Sequence, residues 1–223
     1  MSTPARRVRV CLVSGSLRGR KATSYRLLDR LNRFLNPSQV EVTRVLARAR
    51  LAESYPEEDL AALAGADAVV FAFPLFAYCL SGAAIRLLEE WARFAVNRPA
   101  AERARVYAIV NCASAMPEIS AEAIRVVRNF CARLGLEWRF AVAIGGGPIA
   151  VMTAPIDLKL RRALRSIAAD IQTGSHEPPT DDLLIRPMLP KVLMNSVREY
   201  LDRKALKDLT KTSARRTTAP GSE

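Results

Sequence analysis

Residues 10–28, VCLVSGSLRGRKATSYRLL, place the hydroxyls of Ser14, Ser16, Thr23 and Ser24, two glycines and the cations Arg18, Arg20, Lys21 and Arg26 within a short stretch that follows an apolar run. The chemistry such a set supports is anion binding. A turn that leaves a strand at Ser14 and enters a helix near Ser24 gathers hydroxyl donors, cations and the unpaired N–H groups of a first helical turn, where the helix dipole is positive. A phosphate suits that combination. The pattern is neither G-x-G-x-x-G nor a P-loop, because the Lys-Ser/Thr ending is absent, so a dinucleotide fingerprint and a triphosphatase site are both disfavoured. A solvated polar turn with Ser24 as the helix cap would use the same residue types. Other positions must therefore decide between the two.

Few other residues offer chemistry. His176 is the only histidine, so neither a Ser-His-Asp nor a Cys-His set can be assembled in the familiar way. Cys11, Cys79, Cys112 and Cys131 lie in apolar runs without C-x-x-C spacing, which argues against a metal site or a disulfide framework and for a reducing, cytoplasmic interior. The acid pairs Glu89-Glu90 and Asp181-Asp182 are adjacent in sequence and read as surface charge. The net charge of +12 makes polyanions the first partners to consider. Between Arg6 and Arg50 twelve Lys or Arg face only Asp29 and Glu41, and Arg198 to Arg216 is basic again. No helix-turn-helix, zinc finger or aromatic RNA platform accompanies this charge, so no specific nucleic-acid partner is expected. The first residues carry too short an apolar segment for a signal peptide, and no run of eighteen apolar residues suggests a membrane span.

Five apolar, β-branched runs must position the loop: VRVCLVS (8–14), VEVTRVLA (40–47), DAVVFAFP (67–74), RVYAIVNC (105–112) and WRFAVAIGGG (138–147). Near-continuous apolar runs belong to strands covered on both faces, hence to a parallel sheet. Helical spacing recurs between them: Leu27, Leu28, Leu31, Phe34 and Leu35 before Asn36-Pro37; the short EEDLAALAGA; Ile85, Leu87, Leu88, Trp91 and Phe94 before Asn97; and Ile119, Ala123, Val126, Val127, Phe130 and Leu134 before Gly135. A further helix is predicted over 154–173, opened by Thr153 and Pro155 and closed by Gly174. Five βα units in order predict a doubly wound α/β sandwich. Trp91, Phe94, Phe130, Trp138 and Phe140 fall at core spacing, and only Phe76 and Tyr78 stand in a strand-end loop. Residues 1–174 are read as one domain. A polar linker follows, with a helix from about Pro190 in an extension reaching 211, and 212–223 read as a disordered tail. The apolar stripe of that extension, from Met188 to Leu201, predicts docking on the body or on a second subunit.

With Ser14, Gly15, Ser16, Arg18 and Ser24 after the first strand, and Phe73-Pro74-Leu75-Phe76 leading to Gly82 and a helix after the third, the chain resembles the NADPH-dependent FMN reductase branch of the flavodoxin-like superfamily. Asn111-Cys112-Ala113-Ser114 and Gly145-Gly146-Gly147 end the later strands in the manner of that family. The resemblance covers roughly residues 7 to 173. It implies a flavodoxin-like five-stranded parallel sheet with helices on both faces. It also implies that Ser16, Arg18 and Ser24, with Ser14 in addition, hold a flavin phosphate. The backbone of Pro74, Leu75, Phe76, Ala77 and Tyr78 would edge the isoalloxazine ring, with Asn111, Ser114, Gly145, Gly146 and Gly147 around its other side. Two departures stand out: Ala22 occupies a position where relatives commonly carry serine, and Phe76 one where tyrosine is frequent.

The function this resemblance implies is an FMN-dependent oxidoreductase. Hydride would pass from NADH or NADPH through FMN to a small acceptor such as a quinone, another flavin, an azo or a nitro compound, with no catalytic side chain required. A homodimer is expected. The alternative is a flavodoxin-like electron carrier, or a non-catalytic flavin-binding module, whose positive surface meets an acidic protein partner.

Overall fold

A computed structural model of the chain describes residues 6–47, 54–96, 104–146, 158–174, 179 and 181–186. The apolar runs become strands β1 (Val8–Ser14), β2 (Val40–Leu46), β3 (Ala68–Pro74), β4 (Arg105–Asn111) and β5 (Glu137–Ile144). Between and after them lie helices α1 (Thr23–Asn32), α2 (Glu57–Ala64), α3 (Gly82–Val96), α4 (Ala121–Leu134) and α5 (Leu158–Thr173). All strand pairings are parallel, in the order β2-β1-β3-β4-β5-β6. The first five strands follow the flavodoxin-like order.

The sheet has six strands rather than the expected five. β6 (Leu183–Ile185) pairs with the carboxyl end of β5. Three residues behind a polar, proline-containing segment carry no periodic signal, yet they satisfy backbone groups on the β5 edge that would otherwise stay unpaired. Asp182, expected as surface charge, holds this edge. Its carboxylate accepts the Ala141 N–H at 2.8 Å and pairs with Arg128 at 3.1 Å. Apart from Pro179 and residues 181–186, the predicted linker, helical extension and tail lie outside the described residues, as do the helix start at Thr153 and Pro155 and the site candidate Gly147.

Alternate strand residues point to opposite faces and build two cores. Leu12, Val70, Ile109 and Val142 meet α1 and α5 through Leu27, Leu31, Leu164 and Ile167. Val13, Phe71, Val110 and Ala143 meet α2, α3 and α4 through Leu63, Leu87, Trp91 and Val127. Phe140 and Trp91 are buried and Phe94, Phe130 and Trp138 pack against the same cores, as core aromatics rather than ligand contacts. Ile85 and Val126 depart from expectation and turn outward.

A charged cluster crosses the first core. Asp170 on α5 is fully buried and receives two hydrogen bonds from Arg139 on β5, at 2.7 and 2.8 Å, and one from the Tyr107 hydroxyl on β4 at 2.6 Å. Burial and the neighbouring Asp170 both push the Tyr107 hydroxyl up, which keeps it a proton donor. No helix among the described residues is long and apolar enough to cross a membrane.

Candidate functional site

After β1 the chain passes into α1 on one face of the sheet, and after β3 into α3 on the other. Such a reversal opens a crevice at the carboxyl ends of the strands. Four loops converge on it through backbone hydrogen bonds. Gly15 N–H donates to Ala72 O at 2.7 Å, Leu75 N–H to Asn111 O at 2.9 Å, Cys112 N–H to Ile144 O at 3.0 Å, and Gly146 N–H to Ser114 O at 2.7 Å.

The first loop lies hard against β3. A Cβ on Gly15 would sit 2.8 Å from Phe73 Cβ, so no larger residue fits there without a shift. The Ser16 hydroxyl accepts the Arg18 N–H at 3.3 Å, a one-turn 3-10 segment covers Gly19–Lys21, and α1 begins at Thr23. Its N-cap is Ala22, 2 % exposed, which supplies no side-chain acceptor. Ser24 is therefore not the cap of a solvated turn. It lies inside the first helical turn, fully buried, with its Oγ 3.2 Å from that of Ser14, which is equally buried. Ser16 is 4 % exposed, whereas Arg18, Arg20 and Lys21 are exposed and have no ion pair among the described residues.

The loop after β3 forms a two-residue hairpin. Phe76 and Cys79 exchange backbone hydrogen bonds, and Ala77 and Tyr78 between them adopt positive φ values of 46° and 65°. The side chains of Phe76 and Tyr78 are each 69 % exposed beside the crevice. Aromatic side chains at the mouth of a crevice suit a flat apolar ligand.

The loops after β4 and β5 close the other side. Asn111 is 5 % exposed, and its Oδ1 has no hydrogen-bond partner among the described residues. The Ser114 hydroxyl accepts the Met116 N–H at 3.1 Å. Gly145 packs so close that a Cβ would lie 2.6 Å from Ala115 O, and Gly146 has φ of 60°. Cys112 is buried, which pushes its thiol up against the pull of nearby donors, and its Sγ donates to the carbonyls of Ser114 and Ile144. It is a packed thiol, not a nucleophile.

Three supporting residues escaped sequence reasoning. Ser81 donates to Gly15 O at 3.0 Å and accepts the Ala84 N–H at 3.3 Å, joining the first loop to the start of α3. Its place directly before Gly82 and the helix was the available signal. Glu90, expected on the surface, is 8 % exposed; it accepts the Tyr55 N–H at 2.8 Å and pairs with Arg86 at 2.7 Å. The Tyr55 hydroxyl donates to Ala83 O, so the segment entering α2 is pinned to α3. Nothing in the local sequence distinguishes Glu90 from the exposed Glu89 beside it.

The loops at residues 14–24, 74–81, 111–116 and 144–146 contain no carboxylate and no histidine. The residue types that most often act as general acid or base, His, Asp and Glu, are thus missing from these loops. What the crevice offers is a place to bind and orient: a helix start without a side-chain cap, flanked by cations, at one end, and exposed aromatics with an unpaired buried acceptor at the other. These features suit a flat ligand carrying a phosphate. Among the described residues no group of His, Cys, Asp or Glu is arranged to hold a metal.

No family model and no curated protein matches the chain. Solved structures do. An NADH:FMN oxidoreductase in its apo form is 15% identical with a TM-score of 0.58, over 78% of this chain and 94% of that one. The WrbA-like flavodoxin from Agrobacterium tumefaciens is 14% identical at a TM-score of 0.54, over 74% and 95%. General stress protein 14 from Treponema denticola, solved in complex with FMN, is 11% identical at a TM-score of 0.54, over 74% and 99%. At these identities the likeness is one of fold: the chain has the flavodoxin-like fold expected from its sequence.

Proposed function

We propose that the chain is an FMN-dependent oxidoreductase that uses NADH or NADPH to reduce a small acceptor of the quinone, flavin, azo or nitro class. The observation that carries this reading is the start of α1. It opens at the switch point with Ala22 as its cap, leaving its first amides without a side-chain acceptor beside Ser16 and the exposed Arg18. Such a terminus attracts a phosphate. Two structural neighbours, an NADH:FMN oxidoreductase and a protein solved in complex with FMN, share the fold and support the choice of ligand.

Ser16, Arg18 and the α1 amides would hold the phosphate. The Pro74–Tyr78 backbone and the Phe76 and Tyr78 side chains would line the ring, and Asn111 Oδ1, already out of water, gains a partner from any ring N–H that reaches it. Gly145 and Gly146 keep the opposite wall free of side chains. Bound FMN would supply the hydride-accepting ring that the protein's own side chains lack. The part played by this chain is to desolvate and orient two flat rings against each other.

Titration calorimetry tests this. Arg18→Ala removes a charge-assisted hydrogen bond worth about 1.5–3 kcal/mol, so FMN affinity should fall about ten- to a hundredfold and riboflavin affinity much less. Equal losses for both ligands would place Arg18 away from the phosphate. Anaerobic mixing with NADH or NADPH should bleach protein-bound FMN within seconds; flavin that stays yellow for minutes rejects the reductase. That second outcome favours an electron carrier, a reading suited to the methyl group of Ala22 where a hydroxyl would strengthen the phosphate site.

A further inference from the structure

We propose that the outer surface formed by α1 and α5 binds the phosphodiester backbone of double-stranded nucleic acid without regard to sequence, independently of any flavin. The two helices lie side by side on one face of the sheet, sharing a core. Arg165 stacks over the Phe34 ring at 5.2 Å, and Gln172 Oε1 accepts the Asn36 N–H at 2.7 Å, so the outer rows of side chains are neighbours. Arg26, Arg30 and Arg33 follow helical spacing along one row, and Arg161, Arg162 and Arg165 stand in the other. Within α1 and α5 the only acids are Asp29, which pairs with Arg44 at 2.8 Å, and the fully buried Asp170.

The opposite face is built differently. Glu57, Glu58 and Asp59 open α2, and Arg86, Arg93, Arg125 and Arg128 each pair with a carboxylate. The helices on the α1–α5 side are therefore more positive than those on the opposite face. Burial and the charge of Arg33 both lower the pKa of Arg30. A row of arginines at helical spacing presents positive charge that a polyanion of similar density complements.

The composition of the patch selects the partner. Six of the seven cations are arginines, Lys159 being the seventh, and their planar forks match phosphate oxygens two at a time. On the two helices the only apolar side chain standing well out is Leu158, at the start of α5, too little for insertion into a lipid surface. No exposed aromatic on these two helices offers a stacking platform for single-stranded bases. Duplex nucleic acid, with one charge per about 1.7 Å of axis, supplies the required density and is read here through its backbone alone.

The test uses the full chain and a fluorescently labelled random-sequence DNA duplex, with affinity followed by anisotropy across a salt series. The triple variant R26Q/R33Q/R162Q should lower the steepness of log K against log salt by about two to three and weaken binding at 0.1 M salt about ten- to several-hundredfold. R26K/R33K/R162K should keep most of the steepness. R93Q/R125Q/R133Q, which removes equal charge from the opposite face, should change it little. Melting curves for each variant establish that it is folded. The proposal is overturned if the wild type does not bind the duplex or if the two glutamine variants lose affinity equally. It also fails if the first variant binds as the wild type does, or if phosphatidylserine vesicles or polyglutamate bind the wild type more tightly than the duplex.

Discussion

Phe76 and Cys79 exchange both of their backbone hydrogen bonds, at 2.8 and 2.9 Å, and confine Ala77 and Tyr78 to the left-handed region between them. A two-residue turn with positive φ at both central positions favours Asn-Gly, since a Cβ there crowds the following carbonyl. Holding two side-chain residues in it costs on the order of 1 kcal/mol or more each. The arrangement places Phe76 and Tyr78 at the crevice. Ala77→Gly should therefore raise the melting temperature by about 2–4 °C, the response to roughly 1 kcal/mol in a domain of this size. Tyr78→Ala should leave stability nearly unchanged and weaken FMN. Calorimetric melting and FMN titration read the two effects separately; a lower melting temperature for Ala77→Gly would show that the turn is not strained.

Asn111 carries a buried acceptor without a partner, a defect that costs on the order of 1–3 kcal/mol in the ligand-free protein. Asn111→Ala removes both the defect and the group a ligand would satisfy. Thermal stability without FMN should hold or rise slightly, and the rise in melting temperature produced by saturating FMN should shrink. An undiminished FMN-induced rise would remove Asn111 from the site.

Burial alone would raise the Glu90 carboxyl, but the Tyr55 N–H and the Arg86 guanidinium outweigh it and hold the pKa below the usual carboxylate range. A depressed folded-state pKa stabilises fully above the unfolded value of about 4.3 and loses that contribution as pH falls through the folded value. Glu90→Gln should cost about 2 kcal/mol near pH 7, a drop of about 4–8 °C in melting temperature. The gap to wild type should narrow below about pH 4. Melting curves from pH 3 to 8 check this, and a gap of constant size would assign the loss to packing instead.

Arg139 and Asp170 form the most buried ion pair of the described residues, with Asp170 wholly out of water. Removing one partner strands a charge and costs about 3–5 kcal/mol, while replacing both with apolar groups is close to neutral. Urea unfolding should place Arg139→Met that far below wild type, and Arg139→Met with Asp170→Leu should recover most of the loss. A double variant as unstable as the single one would show that Tyr107, left without its acceptor, carries the energy instead.

Much of the architecture was legible residue by residue. The apolar runs 8–14 and 67–74 are strands that end at Ser14 and Pro74, the run 105–112 is a strand that ends one residue earlier at Asn111, and the breaks at Gly135 and Gly174 close α4 and α5. These follow from local chemistry, because burial on both faces and a left-handed helix end each impose their own residue types. The clustering of Ser16, Arg18 and a helix start was legible for the same reason. The hairpin was not, since Ala77-Tyr78 lacks the Asn-Gly signal that marks such a turn.

The sequence by itself determined which segments must be strands or helices and which loop carries hydroxyls and cations at a helix start. Only the tertiary structure decided that Ser14 and Ser24 face each other, that Glu90 is buried while Glu89 is not, and that Asp170 answers Arg139. It alone recruited Leu183–Ile185 to the sheet, and it alone left Asn111 Oδ1 without a partner. Periodicity reports whether a residue is inside, through the water it avoids. Which polar group meets which depends on contacts between segments far apart in the chain, and those exist only once the sheet has set the order of its strands.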